Sequence, residues 1–131
     1  GVFVFNLRLE TYDGWQADKA FYGLLSDKNI EGMILTSTPF VGLYTNAKLE
    51  LMYYPVFNSD YASQWINYIE HHDNISYIFF DTCNGLLCAP GDIACVDARQ
   101  DLEETIKKNY SEVFYKNKGS CYYKTFKNSI L

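Results

Sequence analysis

The densest group of titratable side chains is Glu70-His71-His72-Asp73, at the end of an amphipathic stretch. A histidine beside an aspartate can exchange protons near neutral pH, so His71 and His72 are candidate acid–base groups. The plainer reading is the solvated end of a helix. Asp81 stands apart because it closes the apolar run 75–80, and ligand chemistry in parallel α/β folds gathers at strand C-termini. It is the candidate catalytic residue, usable by a hydrolase together with His71 or His72, and equally able to begin a turn. No Gly-x-Ser-x-Gly elbow, P-loop or dinucleotide fingerprint accompanies it, and Asp13, Asp18 and Asp27 lack a calcium-loop rhythm. No cofactor or metal is implied.

Cysteine chemistry points to a compartment. Cys83, Cys88, Cys95 and Cys121 are spaced C-x4-C-x6-C-x25-C, without the close pairs of structural zinc sites. His71 and His72 would diverge on a helix rather than share a metal. An even count without metal spacing predicts two disulfides and an oxidising environment. Three pairings are open. We prefer Cys88–Cys95 with Cys83–Cys121, because the second pair would tie two predicted strands. Asn74-Ile-Ser76 and Asn109-Tyr-Ser111 are N-glycosylation acceptors. The strand pattern begins at Gly1 without an apolar leader, as in a processed chain. No apolar run is long enough to span a membrane. The expectation is a single secreted, extracellular domain over residues 1–131.

These groups need elements to hold them. Residues 2–10 alternate as a strand, with Phe3, Phe5, Leu7 and Leu9 on one face. Residues 15–25 carry helical spacing, and 32–37 is a short apolar strand. Residues 48–57 form the next strand, apolar on both faces through Leu51, Met52, Tyr53 and Tyr54. Ser59 or Asp60 caps a helix whose buried stripe is Ala62, Trp65, Ile66 and Ile69, and 75–81 is another strand. Asp97 and Gln100 make a capping box for a helix ending at Lys107 and Lys108, which suits the macrodipole. Glu103–Lys107 and Glu104–Lys108 add i,i+4 pairs. Residues 120–126 form the last strand. Asn109 falls near the Leu102/Ile106 stripe, so either the helix stops near Lys108 or that sequon stays unmodified.

Strands apolar on both faces and separated by amphipathic helices predict an α/β fold. It would have a mainly parallel sheet of about five strands with flanking helices; an α+β arrangement is the alternative. The hydrophobic share of 48% and charged share of 21% are those of an ordinary globular chain, which excludes disorder. A net charge of −5 argues against nucleic-acid binding, although lysines crowd the last quarter. Aromatics reach 18%, with 12 Tyr and 9 Phe, which favours strands and contact surfaces.

With the strands in order, the chain resembles the glycoside hydrolase family 25 lysozymes, secreted barrel muramidases. Gly1-Val2-Phe3-Val4-Phe5 stands where that family has Gly-Val-Asp-Val-Ser. Tyr53-Tyr54-Pro55-Val56-Phe57 and Ser63-Gln64-Trp65 are similar to its Tyr-hydrophobic-Pro strand and Gln-containing helix. Tyr77-Ile78-Phe79-Phe80-Asp81-Thr82-Cys83 resembles its catalytic Ile-Trp-Phe-Asp-Ile-Glu strand, and Gly119-Ser120-Cys121-Tyr122-Tyr123 its Gly-Ile-Tyr-Thr strand. The resemblance implies an incomplete (β/α) barrel. It also implies lost activity, because the family's acids fall at Phe3 and Cys83 and only Asp81 survives. Glycoside hydrolysis needs a second carboxylate or its equivalent. The expected function is therefore non-catalytic binding or assembly. Open sheet edges and tyrosines would contact a protein partner or a second copy, with carbohydrate a further candidate ligand.

Overall fold

The computed structural model describes residues 30–38, 41–42, 45–52 and 56–130. The expected strand 2–10, helix 15–25, Phe3 and the Tyr53-Tyr54-Pro55 segment lie outside the described residues. The described elements run β1 (Met33–Thr36), β2 (Lys48–Leu51), α1 (Ser59–His71), β3 (Ile75–Asp81), α2 (Ile93–Lys107), β4 (Tyr110–Asn117) and β5 (Tyr122–Asn128). They form an α/β fold with one five-stranded sheet in the order β2-β1-β3-β5-β4.

The sheet is mixed and open, which corrects the expectation of a mainly parallel, barrel-like arrangement. β1 pairs in parallel with β2 and β3, whereas β5 pairs antiparallel with β3 and β4. The difference comes from β4, a strand the sequence pattern did not reveal. Its side chains are mostly exposed, so it shows no alternation of apolar and polar residues. The chain crosses from β3 through α2 to β4 and then turns back. Gly119, at φ 86°, supplies the left-handed step of that turn, and Lys118 N–H donates to Cys121 O at 2.8 Å. β5 therefore enters between β3 and β4 in the opposite direction. β2 is also shorter than the expected 48–57 strand, with Phe57 outside the ladder.

Each helix starts earlier than its sequence signal suggested. Asn58, rather than Ser59 or Asp60, caps α1 by accepting from Tyr61 N–H at 3.0 Å. Asp92 caps α2 by accepting from Cys95 N–H at 3.0 Å, so Asp97 and Gln100 lie within the helix instead of opening it. α2 ends at Lys107, which leaves Asn109 exposed in the following turn. Of the expected ion pairs, Glu103–Lys107 forms at 3.0 Å.

β1 and β3 are buried throughout, and each face of the sheet carries a core cluster. Met33, Leu35, Ile78, Phe80 and Phe126 pack with Trp65 and Ile69 of α1 and Leu102 and Ile106 of α2. Ile34, Tyr77, Phe79 and Tyr123 form the core of the other face. The Trp65 indole N–H is satisfied by Met52 O at 3.2 Å, as burial of that side chain demands. Gly32, at φ 84°, permits close passage of β1 by β3. A Cβ there would sit 2.2 Å from Asn74 O.

Candidate functional site

Asp81 is the last residue of β3 and is 0% exposed. Its carboxylate is turned onto the chain that follows. Oδ1 accepts the N–H groups of Cys83 at 2.7 Å and Asn84 at 3.0 Å, and Oδ2 accepts from Asn84 Nδ2 at 3.0 Å. This is the side-chain geometry with which an aspartate mimics a backbone turn. Ser37, just beyond β1, locks the backbone from the other side. Its Oγ accepts from Asp81 N–H at 3.0 Å and donates to Asp81 O at 3.1 Å. Gly85 completes the junction, since a Cβ would lie 2.5 Å from Ser37 O.

Two further links bind this end of β3 to β5. Thr82 N–H donates to Tyr122 O at 3.0 Å, and Tyr122 N–H donates to Thr82 Oγ1 at 2.8 Å. Cys83 is joined to Cys121, and Cys88 to Cys95. That is the preferred pairing, and Cys83–Cys121 does tie the ends of two neighbouring strands. The disulfides are compatible with an oxidising compartment.

The histidines lie elsewhere. His71 ends α1 and His72 follows it, both before β3 begins, whereas Asp81 ends β3. The length of β3, 7 residues ending at Asp81, separates them, roughly 20 Å of extended chain. The Nδ1 atoms of His71 and His72 lie 2.7 and 2.8 Å from Asn67 O and Tyr68 O. A carbonyl only accepts, so each Nδ1 carries the proton. His72 also stacks on Tyr68, with ring centroids 3.8 Å apart. Both histidines line an open groove of about 890 Å³ between the ends of the two helices, with Asp73, Lys108, Asn109 and Tyr110 along it. Burial pushes the Tyr110 hydroxyl up to about 12. Among the described residues, no group of three or more His, Cys, Asp or Glu gathers to hold a metal ion.

Among the described residues, a second cluster of charges joins α2 to the sheet, one that the sequence pattern did not reveal. Glu103 of α2 meets Lys124 of β5 at 2.8 Å, with side chains only 13% and 14% exposed. Tyr122 OH donates to the other Glu103 oxygen at 2.7 Å, and Lys124 also approaches Glu112 of β4 at 3.5 Å. The Lys124 ammonium stands 5.0 Å from the Tyr122 ring centroid and 5.5 Å from that of Tyr115. Burial alone would raise the Glu103 carboxyl. Hydrogen bonds from Lys124, Tyr122 and Lys107 outweigh it and leave the group below its ordinary value. Burial would likewise lower the Lys124 ammonium, but the bond to Glu103 and the charges of Glu103 and Glu112 hold it above its usual value. Only the Glu103–Lys107 spacing was visible in the sequence; the contact with β5 needs the folded sheet.

This cluster ties α2 to the sheet and predicts a pH dependence. Because the folded-state value of Glu103 is depressed, its stabilisation is fully present above the ordinary carboxylate range. It is lost as pH falls through the lowered value. Glu103→Gln is expected to cost about 1–2 kcal/mol at neutral pH, discounted for partial exposure. The difference from the parent should narrow as the solution is acidified, read as urea midpoints across a pH series.

Among the described residues, no helix is long and apolar enough to cross a membrane. Compared with known proteins, the chain matches no family model, and no curated protein and no solved structure shows significant similarity to it.

Proposed function

We propose that this is an extracellular, glycosylated, non-catalytic domain that binds a protein partner, related to the family 25 lysozymes but keeping only Asp81 of their acids. The observation that carries the reading is the commitment of Asp81. A general acid must reach the glycosidic oxygen and a nucleophile the anomeric carbon, and this carboxylate is wholly buried with its oxygens accepting from the turn 82–84. Cys83, at the position of the resembled family's second acid, has its sulfur in a disulfide. The alternative of a hydrolase pairing Asp81 with His71 or His72 loses support from their placement at opposite ends of β3.

The outward part of β4 offers the contact surface. Val113 is 44% and Tyr115 52% exposed, and Tyr115 is steadied by Lys124. The ladder is interrupted between Glu112 and Phe114, where Val113 bulges. A bulge flanked by Glu112 and Lys116 blunts strand addition, so a partner meets these side chains rather than extending the sheet.

A peptidoglycan-clearing assay tests the catalytic half of the proposal. Neither the parent nor Asp81→Asn is expected to clear the substrate; turnover in the parent that vanishes in the variant would sink it. Light scattering tests the mode of contact. A monomer is expected at high protein concentration, whereas a dimer broken by Val113→Lys would show that the β4 edge pairs with itself.

A further inference from the structure

We infer that Asn74 and Asn109 carry N-glycans standing side by side at one end of the sheet, where they screen the groove between the helix ends. The inference rests on the extracellular reading above and adds the placement of the modification and its consequence. Asn74 directly precedes β3 and Asn109 directly precedes β4. Both strands run antiparallel to β5, so they start at the same end. The last residue of β5 joins them: Asn128 lies opposite Tyr110 in the ladder, and its Nδ2 donates to Ile75 O at 2.9 Å. The two sequon asparagines are thus about two strand spacings apart, roughly 10 Å.

Both side chains are exposed, and neither carboxamide has a hydrogen-bond partner among the described residues. Asn58, Asn84 and Asn128, by contrast, each use theirs to hold the fold. The sequon serines are engaged in the folded chain, Ser76 donating to Glu31 O and Ser111 meeting Ser129 at 3.0 Å. Transfer of the oligosaccharide to the extended chain precedes those bonds. The fold must then leave the asparagine side chain outside, as it does at both positions. Asn109 itself lines the groove, as do His71, His72 and Asp73. Two bulky, solvated glycans there would cover that end and not the other, where Ser37, Asp81 and the Cys83–Cys121 bridge lie.

The test is to produce the chain behind a cleavable secretion leader in eukaryotic cells and release glycans with peptide-N-glycosidase F in heavy-oxygen water. Labelled aspartate is expected at both 74 and 109, and Asn74→Gln and Asn109→Gln should each remove one glycan. Label at neither position, or at only one, overturns the paired arrangement. Screening is read from carbethoxylation of His71 and His72, the 2 histidines of the chain. Diethyl pyrocarbonate should modify them several-fold more slowly before deglycosylation than after it. Equal rates with both sites occupied would overturn the screening. None of these outcomes bears on peptidoglycan turnover, so the non-catalytic reading stands or falls separately.

Discussion

Replacing Asp81 with alanine is expected to lower the unfolding free energy by about 3 kcal/mol. The change leaves three donors, the N–H groups of Cys83 and Asn84 and the Asn84 carboxamide, without the acceptor they use in the folded chain. These bonds sit where β3 must turn away from the sheet. Asp81→Asn is a milder test. Its Oδ1 can still accept both backbone N–H groups, and Asn84 can rotate its carboxamide to meet the new NH2, so the expected loss is about 1 kcal/mol. Urea titrations with an unchanged slope would report this ordering. An alanine variant as stable as the parent would free Asp81 from its turn and restore the case for a catalytic carboxylate.

The second large effect concerns the disulfides, whose loops differ in length. Cys83–Cys121 closes a sequence separation of 38 and Cys88–Cys95 one of 7. In the chain-entropy account, the longer loop contributes about 4 kcal/mol and the shorter about 2.5 kcal/mol. Cys83→Ser with Cys121→Ser should therefore destabilise more than Cys88→Ala with Cys95→Ala. Alanine suits the second pair because Cys95 is fully buried in the core with Leu102 and Phe57. Chemical denaturation of both double variants under non-reducing conditions gives the comparison. The reverse order would mean that the short loop, which lies beside the Asp92 cap of α2, stabilises mainly through the native helix start.

The sheet shows why some elements could be read from the residues and others could not. β1 and β3 are apolar on both faces in sequence and buried on both faces in the fold, so they were found with nearly their true bounds. α1 shows its stripe of Ala62, Trp65 and Ile69 because an amphipathic helix carries its packing direction in its own spacing. β4 has no such signature. It is stabilised by pairing with β5 rather than by burying a face, and backbone pairing leaves little trace in side-chain order. Without β4, the alternation of strands and helices reads as a parallel sheet. Glu112, Tyr115, Tyr122 and Lys124 join Glu103 in one cluster only once β4 and β5 pair beside α2.

Residue chemistry alone determined the four cysteines, the two sequons, the acid at the end of β3 and the α/β class. These are local properties: a thiol, an Asn-x-Ser triplet or a hydrophobic period is complete within a few neighbouring residues. Tertiary structure decided how they are used. It brought Cys83 beside Cys121, turned the Asp81 carboxylate onto its own turn, and set the histidines at the other end of the strand. It also drew Asn74 and Asn109 to one end, because β5 folds back between strands that begin there. Those outcomes depend on strand order and direction, which arise from contacts between residues far apart in the chain. Asp81 thus had a visible position, but only the fold could show that its carboxylate accepts the N–H groups of its own turn.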